Sequence, residues 1–332
     1  MAARRVGFAL DIDGPLRRAN RVIPRAKAAL QALQSAGVPW LCLTNGGGEP
    51  EADKAAALSE LLDFHIPPER MVLSHTPMRP LMQQYADKRV LVIGCGAVKE
   101  VAWSYGAKHV ITPDEIAASD PTIYQFKKWE HKSLSPSLEE LPVGAVFILH
   151  DATDWAVETQ VIIDAKLYSG QTDVPIFASN PDIVFAGGHA HPRLAGGTFP
   201  AALAEVWRHV TGQPGLDIKW FGKPTTATFD FAQRQLEQQA GGPLDRIFMV
   251  GDNLAGDIRG ANKAGDPWRS VLISTGIWHP GDDVDWARRE VQGTACAVGQ
   301  RPHWGADAPW AAVDDVMSAV TLGLHETDAE RW

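Results

Sequence analysis

The sequence predicts an α/β protein built on a parallel sheet, with a second α/β unit inserted into the first. Three observations predict it. Apolar runs alternate with segments of helical period along the chain. A new strand–helix rhythm starts at "RVLVIGCG" (89–96), and the first rhythm resumes only near "IKWFGKP" (218–224). Four of the apolar runs end in reactive polar residues, as parallel strands do where a ligand binds at their carboxyl ends.

The elements follow in order. Val6–Leu10 is a short strand. Pro24 opens a helix with Ala26, Ala29, Leu30 and Leu33 on one face, and Gly37 ends it. "VPWLCLTNGGG" (38–48) is a second strand running into polar residues and glycines, and "RMVLS" (70–74) is a third. The inserted rhythm runs from "RVLVIGCG" through "AVFILHDATDW" (145–155) and "VPIFASNPD" (174–182). Val157, Val161, Ile162, Ala165 and Tyr168 recur at helical spacing. "KKWEHKSLSPSLEELP" (127–142) is polar and proline-marked, so it reads as a connection. After the return come a helix to about Gln239, the strand "RIFMVGDN" (246–253), a helix from Leu254 and "SVLIST" (270–275). The tail after Trp278 is rich in tryptophan and charge, with no element assigned. These limits divide the chain into a discontinuous core, 1–83 and 216–332, and an inserted unit, 84–215.

Composition narrows the function classes. A chain of 332 residues with 45% hydrophobic content buries a large core without disulfides. The three cysteines, Cys42, Cys95 and Cys296, are odd in number and lack metal-ligand spacing, which reads as a reducing compartment without a zinc site. A net charge of −9 with no basic block argues against a nucleic-acid partner. No run reaches the ~20 apolar residues of a membrane span. The first strand starts by Val6, which leaves no room for a signal peptide. The expected location is cytoplasmic, or mitochondrial if a presequence has been trimmed.

The chemistry sits at the strand ends. Asp11 and Asp13 follow the first strand, with Ile12 between them. Asp11 ends the strand; Asp13 lies beyond it in a turn that Gly14 and Pro15 permit, so both carboxylates can face one reacting atom. Asp11 suits a carboxylate nucleophile, and Asp13 a general acid and then base. Asp252 adds a second carboxylate for a hard divalent cation. Lys223 offsets the crowding of acids against a phosphate. Thr44, with the amides of Asn45 and Gly46, donates to phosphate oxygens.

At these residues the sequence resembles the haloacid dehalogenase-like (HAD) hydrolases: "DIDG", "LTNGG", "FGKP" and "VGDNLAGDI" match the four family motifs in order. The resemblance implies a Rossmann-like parallel-sheet core with a large inserted α/β cap, the type 2 cap of class IIA. Within that class, "SHTPM" (74–78), "VLVIGCGAVKEVAWSYG" (90–106), "HDATDWAVETQ" (150–160) and "MVGDNLAGDIRGAN" (249–262) look like the cat-eye-syndrome-critical-region type. It implies that Asp11 is the nucleophile and Asp13 the acid/base. Thr44 and Asn45 bind phosphate, and Lys223 steadies nucleophile and phosphate. Mg²⁺ is held by the Asp11 and Asp252 side chains and the Asp13 backbone carbonyl, with Asp257 supporting from farther out. It also implies that Asn180 and Asp182, after a cap strand, touch substrate, and it allows a homodimer through the cap. Pro15 departs from the family pattern, where valine or threonine is usual; it removes an N–H from the catalytic loop.

Simpler readings stand beside these. Asp11–Asp13 and Thr44–Asn45 could be plain turns, Lys223 a solvated lysine, Asp252 a helix cap, and "SNPD" (179–182) a turn. "VIGCGAVKE" starts like a dinucleotide fingerprint, but Lys99 stands where the third glycine belongs, so a tight strand–helix turn fits better. His189 and His191 have no third metal ligand nearby in sequence. The function expected is a Mg²⁺-dependent phosphatase of a small or medium phosphate ester. The alternatives are a phosphoryl-binding or regulatory protein with little turnover, and a phosphotransferase or hydrolase of an unusual diphosphate.

Overall fold

The computed structural model describes residues 5–168, 173–185, 189, 191, 193–278 and 307–325. Its strands are β1 (Val6–Leu10), β2 (Arg17–Arg18), β3 (Arg21–Val22), β4 (Trp40–Leu43), β5 (Met71–Val72), β6 (Arg89–Ile93), β7 (His109–Ile111), β8 (Val143–Ile148), β9 (Ile176–Ala178), β10 (Val184–Phe185), β11 (Arg193–Leu194), β12 (Ile218–Trp220), β13 (Arg246–Gly251), β14 (Trp268–Ile273) and β15 (Ala311–Val313). The helices are α1 (Ala26–Ser35), α2 (Glu51–Leu62), α3 (Arg79–Gln83), α4 (Val98–Ser104), α5 (Pro113–Ser119), α6 (Trp155–Leu167), α7 (Thr198–Thr211), α8 (Thr226–Ala240), α9 (Arg259–Ala264) and α10 (Val316–His325). Cys296 lies outside the described residues, as does much of the tryptophan-rich tail.

The core is a six-stranded sheet in the order β15-β14-β13-β1-β4-β5, with every pair parallel. Burial on both faces explains why its strands read as continuous apolar runs. Val6, Phe8 and Leu10 of β1 pack with α1, α2 and α10 in one layer. Ala9 points to the other, with Leu41, Leu43, Ile247, Met249 and residues of α8 and α9. α1 buries Ala26, Ala29, Leu30 and Leu33, the face expected from their spacing. The two buried leucines each contribute about 1.5–3 kcal/mol of transfer free energy. The strand order reverses at β1: β4 and β5 lie on one side, β13 to β15 on the other. The carboxyl ends of β1 and β13 therefore flank the crevice where ligands bind in open parallel sheets.

The inserted cap has its own parallel sheet, β12-β9-β8-β6-β7. Alternation along β8 splits it between two cores. Val146 and Ile148 face α5, α6 and α7, whereas Ala145 and Phe147 face α4 and the α3 segment through Met78 and Met82. Two sequence readings are corrected. Ile218–Trp220, read as the return to the first rhythm, instead pairs with Ile176–Ala178 at the edge of the cap sheet. Phe221 still donates its N–H to Ala178 O at 2.8 Å, and the chain turns back to the core from Gly222, whose N–H meets Thr228 Oγ1 at 2.8 Å. Tyr168, read on the buried face of its helix, is 74% exposed. It is the residue after α6, with φ −123°, so it leaves the helical face. The stretch 127–142 holds no helix or strand, as a connection should.

Candidate active site

Asp11 continues β1 by one residue, its N–H donating to Val250 O at 2.9 Å. At the end of β13, Asp252 lies beside it. A five-residue π-helical turn, Leu254–Ile258, then brings Asp257 back toward the strand end. Asn253 caps this turn, accepting from the N–H groups of Ala255 (2.8 Å) and Gly256 (3.2 Å); π-turns of this kind recur at functional sites. Gly251 leaves the room that Asp257 takes, since a Cβ there would stand 2.0 Å from Asp257 Oδ2. Asp252 is enclosed by two more glycines: a Cβ on Gly14 would meet its Cγ at 2.5 Å, and one on Gly276 its Oδ2 at 1.8 Å. Asp252 Oδ2 also accepts the Ile277 N–H at 2.5 Å.

Lys223 enters this cluster from the loop after β12. Its Nζ lies 2.9 Å from Asp11 Oδ1 and 2.6 Å from Asp257 Oδ1, and donates to Leu43 O at 2.8 Å. Lys223, Asp11, Asp252 and Asp257 are all buried. Burial opposes the lysine's charge, yet Asp11 and Asp257 outweigh it and raise its pKa. Burial raises Asp11 well above the ordinary carboxylate range, with Asp257 and Asp252 adding to it against Lys223. Burial, with Asp257 next, pushes Asp252 up to about 7.

The three carboxylates bring ligand oxygens within 4.8 Å of one another. One lysine faces three buried acids, so the cluster is short of positive charge, and mutual repulsion adds to burial in raising Asp11 and Asp252. A divalent cation with oxygen ligands fits this donor set. Asp257 already has both oxygens engaged, Oδ1 by Lys223 and Oδ2 by the Asn253 N–H at 3.0 Å.

Asp13 stands apart from the cluster. Its side chain is 58% exposed and pairs with Arg17, Nε to Oδ1 at 3.0 Å. The turn between them is closed by Gly14 N–H to Arg17 O (2.8 Å) and by the N–H groups of Leu16 and Arg17 to Ile12 O (3.1 and 3.0 Å). Pro15 thus sits where no N–H is needed. Gly14, at φ +105°, takes a conformation that favours glycine.

Thr44 and Asn45 follow β4 and meet the cap. Thr44 Oγ1 accepts the Gly46 N–H at 3.1 Å. Asn45 is engaged on the cap side: its Nδ2 donates to Asp182 Oδ2 at 2.8 Å, and its backbone O accepts from Asn180 Nδ2 at 3.3 Å. Asn180 and Asp182 thus lie against the expected phosphate loop rather than on a distant cap face. Gly48, farther along that loop, meets the turns after β6 and β8: Ala97 N–H donates to Gly48 O at 2.7 Å, and a Cβ on Gly48 would stand 2.3 Å from His150 Cδ2. The glycines of "VIGCG" serve a strand–helix turn packed on this loop. The carboxyl ends of β6, β8, β9 and β12 all converge on 44–48, so both sheets aim their carboxyl ends at one seam.

Two family models match the chain, one described as haloacid dehalogenase-like hydrolase over residues 8–108 and one as HAD-hydrolase-like over residues 220–295. A mitochondrial hydrolase of Saccharomyces cerevisiae is 32% identical over 98% of this chain and 97% of its own length. The chain belongs to the haloacid dehalogenase-like hydrolases. Solved structures share the fold. A p-nitrophenyl phosphatase from Archaeoglobus fulgidus superposes with a TM-score of 0.66 at 14% identity, covering 97% of this chain and 100% of that one. A glycerol phosphate phosphatase from Mycobacterium tuberculosis, in complex with magnesium, gives 0.62 at 21% identity, covering 95% and 76%.

Several residues of this HAD-like hydrolase were given no role in the sequence reading, although His75, Thr76 and Tyr105 lie in strings that carry the resemblance. Tyr105, at the end of α4 in the cap, donates to Glu51 Oε1 in the core at 2.5 Å and contacts His75 Nδ1 at 2.8 Å. Thr76 (2.8 Å) and Arg79 (2.9 Å) meet the same Glu51 oxygen. Burial opposes the Glu51 charge, but Tyr105, Arg79 and Thr76 hold its carboxyl below the ordinary range. Burial pushes His75 down to about 4, so it is neutral. Spacing could not have joined these residues, because the contact forms only when the two sheets meet. Arg17 and Gly276 were equally silent: each matters through a neighbour distant in the chain or across a turn.

Proposed function

We propose that this hydrolase is a Mg²⁺-dependent phosphatase of a small or medium phosphate ester, working through an aspartyl-phosphate on Asp11. The observation that carries the reading is the buried convergence of Asp11, Asp252, Asp257 and Lys223 at the reversal of strand order, beside the Thr44–Gly46 loop. Asp11 attacks phosphorus, and the ester oxygen departs with a proton from Asp13. Water, giving its proton to Asp13, then attacks the phosphorus and frees phosphate from Asp11. Thr44 and the amides of Asn45 and Gly46 hold the phosphoryl oxygens. Lys223 offsets the charge of Asp11 and the phosphoryl group. Asp11, Asp252 and the Asp13 carbonyl, supported by Asp257, would hold Mg²⁺, which when bound would supply positive charge to nucleophile and phosphate.

The unit expected at 84–215, with α3 and Ile218–Trp220 that pack with it, acts as the cap. It excludes water and selects the leaving group; Asn180 and Asp182 are cap residues that reach the Asn45 loop. The motif strings support placement in class IIA, in the cat-eye-syndrome-critical-region type. The yeast relative's name supports a mitochondrial location. Among the described residues no helix is long and apolar enough to cross a membrane. A homodimer through the cap is part of the same reading, and sedimentation of the purified chain tests it.

A phosphate-release screen over sugar phosphates, nucleotides, glycerol phosphates and prenyl diphosphates, with and without Mg²⁺, tests the function. Metal-dependent release from at least one monoester is expected. Binding without release across the panel would favour a phosphoryl-binding protein, release from diphosphates alone a diphosphate hydrolase, and phosphoryl passed to an added acceptor a phosphotransferase.

A further inference from the structure

We propose that Asp182, a cap residue, is a positioning residue that sets Lys223 through the side chain of Asn45. The Asn45 amide grips the Lys223 peptide at both ends. The Lys223 N–H donates to Asn45 Oδ1 at 2.7 Å, and Asn45 Nδ2 donates to Lys223 O at 2.9 Å. The second hydrogen on Nδ2 goes to Asp182 Oδ2 at 2.8 Å. An amide has one oxygen and two N–H donors, and here all are used by partners of fixed sense. Flipping it would set an NH₂ group against the Lys223 N–H and an oxygen against the Asp182 carboxylate. Asp182 therefore selects the one amide orientation that holds Lys223.

The loop carrying Asp182 is itself tied down. Asn180 Oδ1 accepts the Asp182 N–H at 2.9 Å, and Asn180 Nδ2 reaches Asn45 O at 3.3 Å. Gly222, at φ +82°, lets this loop close on the lysine: a Cβ there would stand 2.3 Å from Ser179 O and 3.1 Å from Asn45 Oδ1. At the other end, the Lys223 ammonium donates to Leu43 O at 2.8 Å and forms ion pairs with Asp11 and Asp257 at 2.9 and 2.6 Å. A group so surrounded tolerates little drift of its backbone, and misplacement by about 1 Å can cost ~10²-fold in rate. The cap thus places a group that touches the nucleophile. Asp182 acts on the rate whatever the leaving group, rather than on which ester is chosen. Only the kinetic arm of the test rests on the phosphatase reading.

The test uses the full chain, after thermal melting has shown each variant folded. Hydrogen exchange at the Lys223 amide reads the clamp without any turnover. Asp182→Ala should speed that exchange about tenfold or more, and Asp182→Asn, which keeps an oxygen acceptor, should restore protection. In Mg²⁺, Asp182→Ala should lower kcat by about 10–100-fold, equally on acetyl phosphate and on a bulky aryl phosphate, with KM changed little. Asp182→Asn should recover kcat to within about threefold, and Asn45→Ala/Asp182→Ala should be no slower than Asn45→Ala. Should Asp182→Ala not fold, Asp182→Ser replaces it. Unchanged exchange in the truncated variant, a loss confined to the bulky ester, or additive losses in the double variant would each overturn the proposal. If the wild type releases phosphate from no ester, the function reading fails, while the exchange arm still decides this one.

Discussion

Lys223 Nζ lies 2.9 Å from Asp11 Oδ1, so the end of the first strand is held by a residue that follows the whole inserted cap. The pair closes the chain's longest excursion at the atom proposed to do the chemistry. It ties the placement of that atom to how the cap returns to the core.

Asp13→Asn should slow departure of the leaving group by ~10²–10⁴-fold, the usual worth of a general acid. Alkyl phosphates should suffer more than aryl phosphates, whose leaving groups need less protonation. Comparing kcat/KM on the two classes checks this; equal losses would remove Asp13 from the first step.

Metal binding should depend on pH in a defined sense. Asp252 is raised to about 7 against an unperturbed 3.8, and Asp11 is raised as well, burial being the main cause for each. Between those values the metal-free native chain binds more protons than the unfolded chain, so this contribution falls as pH rises through the window. Mg²⁺ needs the deprotonated carboxylates. The rise in Tm on adding Mg²⁺ should therefore be small near pH ~5 and large near pH ~8. A rise independent of pH would separate the cation from these acids.

Gly276→Ala should weaken Mg²⁺ without unfolding the chain, because the new Cβ would stand 1.8 Å from Asp252 Oδ2 and push that carboxylate aside. Titration of activity with Mg²⁺ should show half-saturation raised about tenfold or more, as disturbing the surroundings of a metal ligand usually does. An unchanged titration would mean that Asp252 is not a ligand.

Tyr105→Phe should destabilise the join of cap and core. It removes a hydrogen bond to a buried carboxylate, and such bonds to charged groups contribute about 1.5–3 kcal/mol. Urea melts should show that loss, with activity at saturating substrate largely kept. A variant as stable as wild type would mean that Thr76 and Arg79 alone satisfy Glu51.

Much of this architecture is legible in the sequence because parallel strands buried on both faces leave apolar runs. Leu10, Leu43 and Val250 each stand just before residues of the site. The apolar period of α1 was legible for the same reason. β7 and β15 were not, being edge strands of only three residues, His109–Ile111 and Ala311–Val313, too short to show a period. Ile218–Trp220 reads like any parallel strand, and only its pairing with Ile176–Ala178 says which sheet it joins. The acids and Lys223 could be picked out because their chemistry is unusual at strand ends. The clamp of Asn45, Asp182 and Lys223 could not, since it depends on side-chain hydrogen bonds between segments far apart in the chain.

The most direct measurement is rapid acid quench during turnover in Mg²⁺, followed by peptide mass analysis. The account predicts a phosphoryl group on the peptide spanning Asp11–Asp13, localised to Asp11, and its absence from an inactive Asp11→Asn variant. Steady phosphate release with no phosphorylated Asp11 peptide, or turnover by Asp11→Asn at the wild-type rate, would contradict it.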